Sequence, residues 1–134
     1  MMTLYPKIGK LVTMRIIGID PGIAITGFGI IDTKTKGYHP VCHGAITTIA
    51  HTPLGERLHE LYTNLNNVIT QYKPDTCAIE EVFFSKNVKT AMSVSHARGV
   101  ILLVCEQHKL PTYHYSPTAV KSAITGYGKA DKAQ

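Results

Sequence analysis

Two carboxylates dominate the chemistry that this chain can do. Asp20 closes the apolar run Arg15-Ile16-Ile17-Gly18-Ile19 and is followed at once by Pro21-Gly22. Glu80 follows Cys77-Ala78-Ile79 and precedes Glu81-Val82. Both runs have the composition of buried strands. An ionised carboxylate in a dry setting is costly unless it is paired or binds a metal. Two strands that each deliver one therefore predict a site for a divalent cation, and carboxylates converging on Mg²⁺ form an arrangement suited to cleaving phosphodiesters. Side chains alternate across a strand, so only one of Glu80 and Glu81 can lie on Asp20's side of a sheet; the other is expected in solvent. After Glu106 the only acid is Asp131, so no further acid is well placed to complete a two-metal site.

Polyanion binding has its own signals. Residues 83–134 hold seven Lys/Arg against two acids and carry the whole net charge of +5. Such a localised basic region is the footprint of a nucleic-acid partner or an ordinary solvated lysine face. Phe83 and Phe84 stand beside Lys86, where aromatics can stack on bases or wedge between them, or else pack into the core. Gly126-Tyr127-Gly128-Lys129-Ala130-Asp131-Lys132 can hold a phosphate through backbone N–H groups and lysines, although it lacks P-loop spacing. The seven histidines form no HxxxH pair and read as structural or surface residues.

The elements that must position these groups follow from periodicity. Arg15–Asp20, Thr26–Ile31 and Tyr38–Ile49 read as an antiparallel meander. Leu54, Leu58, Leu61, Leu65, Val68, Ile69 and Tyr72 recur at helical spacing, with Thr52 as N-cap, Pro53 opening the helix and Lys73-Pro74-Asp75 ending it. A strand over Thr76–Val82 leads through a loop at 83–86 into a helix from about Asn87 to Lys109. Its first half is small and polar and suits a close-packed partner, while Val100–Cys105 is apolar all round and expected to be deeply buried. Pro111–Tyr115 is a fifth strand. Ser116-Pro117 opens a short helix through Ile124, and Asp131 caps another. Three strands, then helix, strand, helix, strand, helix, imply an α/β fold with a mixed five-stranded sheet flanked by helices.

A chain of 134 residues suits one domain with a real core and no disulfides. The three scattered cysteines read as small buried apolar residues of a reducing compartment. The longest clean apolar run, Val100–Cys105, is far short of a membrane span. No signal peptide is visible, so a cytoplasmic protein without membrane contact is expected. Residues 1–13 read as an extension or a mis-called start ahead of a domain over 14–134.

The chain resembles the RuvC family of bacterial Holliday junction resolvases, within the ribonuclease H-like nucleases. The matching segments are Ile17-Gly18-Ile19-Asp20-Pro21-Gly22 with Thr26-Gly27-Phe28-Gly29, and Ala78-Ile79-Glu80-Glu81-Val82-Phe83 with Lys86-Asn87. Ala97-Arg98-Gly99-Val100, Val120-Lys121 and Gly126 to Lys132 follow in order. The resemblance implies a ribonuclease H-like fold and a Mg²⁺-dependent endonuclease that nicks four-way junctions in symmetric pairs, in recombination and repair. It implies that Asp20 and Glu80 are two of four catalytic acids holding two Mg²⁺ per subunit, and that Phe83 opens base pairs at the junction centre. It also implies that Lys121 and Lys132 contact DNA, that the long helix forms a homodimer, and that a branch-migration helicase complex is a partner. Lys86 and Lys129 join the expected DNA footprint.

The family's last helix, with its two further acids, would begin beyond Gln134. The expectation is a C-terminally truncated chain whose own activity is in doubt, with a non-catalytic junction-binding protein as the alternative. An actin-like ATPase shares the strand-Gly-Ile-Asp-x-Gly pattern, but Ile23 stands where its phosphate loop has Ser or Thr. An RNA-processing nuclease of the same fold is disfavoured by the AIEEVF segment and the GYGKADK turn.

Overall fold

The computed structural model describes residues 13–81 and 87–116. Short stretches rich in Ile, Val, Phe and Thr give strands β1 (Met14–Asp20), β2 (Ile25–Thr33) and β3 (Tyr38–Thr47). Helix α1 (Leu54–Tyr72), β4 (Thr76–Glu80), α2 (Val88–Gln107) and β5 (Thr112–Tyr115) follow. The sheet order is β3-β2-β1-β4-β5. The first three strands are antiparallel, whereas β4 runs parallel to β1 and β5 parallel to β4. The mixed five-stranded sheet is the one expected. The strand after Cys77 ends at Glu80, earlier than the Val82 expected.

Parity along the strands divides the sheet into two faces. Ile17, Ile19, Ile30, Ile46, Cys77 and Ile79 are buried on one face, against Leu61, Leu65 and Ile69 of α1 and Ala97, Ile101 and Val104 of α2. Both described helices therefore cover the same face. The other face carries Ile16, Gly18, Asp20, Gly27, Gly29, Ala78 and Glu80, by the register of β1 with β2 and β4. Cys77 and Cys105 are buried and Cys42 half-buried, all as free thiols. The Cys105 contact, and then burial, push the Cys77 thiol well up from its ordinary range.

Arg15 ties the far end of the sheet to α1. It donates to Asp32 through Nε and Nη2 at 2.8 and 3.0 Å, and through Nη1 to the Tyr72 carbonyl at 2.8 Å. The last carbonyl of α1 thus gains a cationic donor at the negative end of the helix. The bonded guanidinium holds the Asp32 carboxyl below its usual range. Lys73 ends α1 in the left-handed region, its N–H donating to Ile69.

Two local expectations are corrected. Pro53, not Thr52, occupies the N-cap position of α1 and makes no side-chain cap; the Thr52 hydroxyl donates to the Ile49 carbonyl instead. Val100–Cys105 is not buried all round. Ile101, Val104 and Cys105 face the core, while Leu103 is 52% exposed. A helix packed on one side of a sheet keeps a solvent side, however apolar its sequence. By length and composition α2 is apolar enough to cross a membrane, with a mean hydropathy of 1.3, although its apolar runs are short. Here its inner side is seated in the core instead.

Candidate active site

Asp20 and Glu80 come together on the open face of the sheet. Ile19 pairs with Ile79 in the parallel register of β1 and β4, and the two acids are the next residue on each strand. Adjacent strands lie about 4.8 Å apart, so two carboxylates of the same parity are neighbours. Both line one cleft of about 300 Å³, with Gly18, Gly27, Gly29, Ala78 and Tyr115. Small residues around the acids keep the floor low. Glu81, one residue on, is exposed and does not line the cleft, as alternation requires. The site is wetter than the apolar flanks suggested: Asp20 is exposed and Glu80 half-buried. A carboxylate at a strand end protrudes past the core even when its neighbours are buried.

The turn after Asp20 is fixed by groups that periodicity does not reveal. The wholly buried Thr26 donates its hydroxyl to the Gly22 carbonyl at 2.6 Å and accepts from the Gly22 N–H at 3.4 Å. Thr48 donates to the Ile23 carbonyl at 2.5 Å, and Arg57 of α1 donates to Thr48 at 2.9 Å. A Cβ on residue 22 would meet the Ile25 carbonyl oxygen at 2.2 Å, so close backbone approach demands glycine there. On the Glu80 side, Arg98 donates from Nη1 to the Glu80 carbonyl at 3.0 Å. Tyr115, Thr48 and Arg57 carried no sequence signal of a site, whereas Thr26 and Arg98 stood within family motifs without a role.

The donor set suits Mg²⁺. Two hard carboxylate oxygen donors in an open cleft match an ion that keeps several waters and takes one or two carboxylates plus substrate phosphate oxygens. No group of three or more His, Cys, Asp or Glu side chains forms a metal cluster among the described residues. Phe83, Lys86, Lys121, Lys129 and Lys132, with the 126–132 turn and the helices expected after Ser116, lie outside the described residues.

An in-register acid pair at the carboxyl ends of β1 and β4, in a mixed sheet that begins as a three-stranded meander, defines the ribonuclease H-like class of nuclease domain. The family model "Crossover junction endodeoxyribonuclease RuvC" matches residues 16–134. A protein of that name from Caldicellulosiruptor saccharolyticus is 52% identical over 122 residues, covering 90% of this chain and 74% of its own length. One from Clostridioides difficile is 47% identical over 121 residues, covering 90% and 72%. Among solved structures, the T. thermophilus RuvC in complex with Holliday junction substrate superposes with a TM-score of 0.83 at 30% identity, covering 90% of this chain and 73% of that one. The chain belongs to the RuvC family of crossover junction endodeoxyribonucleases.

Proposed function

We propose that this protein resolves four-way DNA junctions by Mg²⁺-dependent hydrolysis at Asp20 and Glu80. The observation that carries this reading is the register of β1 and β4, which sets both acids side by side in one cleft. Two anions facing an anionic phosphodiester repel it unless a cation lies between them. Bound Mg²⁺ supplies charge neutralisation and lowers the pKa of a coordinated water. Asp20 and Glu80 hold that charge in place, and the glycine-rich floor admits the sugar-phosphate chain close to the sheet. A complete site takes two Mg²⁺ per subunit and further acids from outside the described residues.

Phe83 stacks or wedges at the junction, and Lys86, Lys121, Lys129 and Lys132 neutralise phosphates. A homodimer places two such sites for symmetric nicks. Support for it comes from the outer side of α2, where Met92 is 55% and Leu103 52% exposed and Gly99 lies between them on the helix. A branch-migration helicase complex completes the set of partners, and the cytoplasm is the compartment. A non-catalytic junction-binding protein is the competing reading, and metal-dependent nicking separates the two.

The test uses a synthetic four-way junction with the full-length gene product and its Asp20→Asn variant. Wild type is expected to make paired nicks with Mg²⁺. Asp20→Asn should make none, yet bind the junction normally in EDTA. Cleavage by Asp20→Asn at the wild-type rate would remove Asp20 from the metal site. A wild type that binds and never cuts would establish the binding-module reading.

A further inference from the structure

The two acids sit on strand ends, and a strand end is where a backbone frays. Glu80 is the last residue of β4. Three contacts meet there. The Glu80 carbonyl accepts from Arg98 Nη1 at 3.0 Å. The other arm of the same guanidinium, Nη2, contacts His114 Nδ1. The Glu81 N–H donates to the Tyr115 carbonyl at 2.6 Å. His114 lies on β5 opposite Ile79 of β4, so Arg98 bridges two adjacent strands from the helix layer. Ala97, next to it, is wholly buried and seats this turn of α2 against the sheet.

A guanidinium is suited to this work because its donors sit in a rigid planar fork. Two anchored arms fix both the distance and the orientation of what they hold. The His114 contact needs a neutral ring whose Nδ1 accepts, with the proton on Nε2. An ammonium on a flexible stem reaches one of these points but does not set the angle between them.

We propose that Arg98 is a positioning residue for the metal site: by clamping the Glu80 peptide to β5, it holds the Glu80 carboxylate beside Asp20 at the separation that a divalent cation requires. This rests on the reading of Asp20 and Glu80 as metal ligands. Arg98 touches neither the cation nor the scissile phosphate. It acts through the main chain of a ligand residue, from the core side of the sheet. Partners that orient a metal ligand typically change metal affinity about 10–100-fold when removed.

The experiment measures Mn²⁺ binding to the full-length protein without DNA, by the loss of the free-ion paramagnetic resonance signal. Mg²⁺ titrations of junction cleavage and junction binding in EDTA accompany it. Arg98→Met is expected to weaken Mn²⁺ binding about tenfold and to raise the Mg²⁺ needed for half-maximal cleavage by a similar factor. Junction affinity in EDTA should stay within about twofold, because no phosphate contact is lost. Arg98→Lys should fall between wild type and Arg98→Met, since it restores one contact of two; it also carries the test if Arg98→Met fails to fold.

Mn²⁺ binding by Arg98→Met, or by Arg98→Lys in its place, that equals wild type would overturn the proposal. So would a loss of junction affinity in EDTA that matches the loss of cleavage, because Arg98 would then be a DNA contact. Asp20→Asn separates the two levels. If it weakens Mn²⁺ binding and the Arg98 variants do not, the positioning role alone falls. If Asp20→Asn also leaves Mn²⁺ binding unchanged, the metal-site reading falls, and the role of Arg98 falls with it.

Discussion

Gly22→Ala tests whether the turn after Asp20 is as tightly determined as its geometry implies. The added methyl would lie 2.2 Å from the Ile25 carbonyl oxygen. Carbon–oxygen contacts close at about 3.3 Å, so roughly 1 Å of movement is required. The obstacle is backbone, which cannot swing aside as a side chain can. Ile25 begins β2, and the intervening turn is held by Thr26 and Thr48. Relief must therefore come from the Pro21–Gly22 side, which is joined directly to Asp20.

Overpacking of this kind costs about 1–3 kcal/mol. With a urea slope of about 2 kcal/mol/M, a 2 kcal/mol loss lowers the unfolding midpoint by about 1 M. A displacement of about 1 Å at a reacting group can reduce turnover about 100-fold. Urea denaturation and junction cleavage by the full-length protein read the two effects separately. A Gly22→Ala protein with a wild-type midpoint and wild-type cleavage would show that the turn yields freely, and the assignment of its rigidity to backbone contact would be wrong.

Neighbouring acids should differ sharply: Glu80→Gln is expected to abolish Mg²⁺-dependent cleavage and Glu81→Gln to leave it intact, and equal losses would mean that strand parity does not decide the site. Leu65 is wholly buried, so Leu65→Ala should destabilise the fold by about 3 kcal/mol in urea titrations; a change near zero would place Leu65 outside the core. Asp32 has its carboxyl pKa lowered from 3.8 by the Arg15 bond. Its contribution is present above the ordinary value and is lost as pH falls through the lowered one. The urea midpoint of Asp32→Asn should therefore sit below wild type at neutral pH and converge on it in acid, and parallel curves would refute the linkage.

Much of this molecule was legible in one dimension. The apolar runs of β1 and β4 predicted two strands that each carry a carboxylate at or near the end, and Pro21-Gly22 predicted the sharp exit after Asp20. Strand parity alone required that Glu80 and Glu81 part company. The leucine spacing of α1 is a local, periodic signal, and Leu61, Leu65 and Ile69 are buried as expected, whereas Leu54 in the first turn is exposed. These features depend on residues two to four positions apart, which is the range over which backbone geometry fixes side-chain direction.

Contacts between distant segments were not legible. That β1 and β4 pair in parallel, with Ile19 opposite Ile79, depends on how α1 packs and returns the chain across 55 residues. No local pattern contains that register, yet the register is what makes two acids into a site. Arg57 reaching Thr48, and Arg98 reaching the Glu80 carbonyl, are likewise decided by helix placement. The solvent side of α2 at Leu103 is another such case, because which side of a wholly apolar run such as Val100–Cys105 is covered depends on the layer beneath it. The sequence alone determined which residues carry charge, which apolar runs become strands and which family the motifs resemble. The tertiary structure decided which of those charges meet and what holds them, because pairing across a sheet and packing of a helix are properties of distant residues brought together.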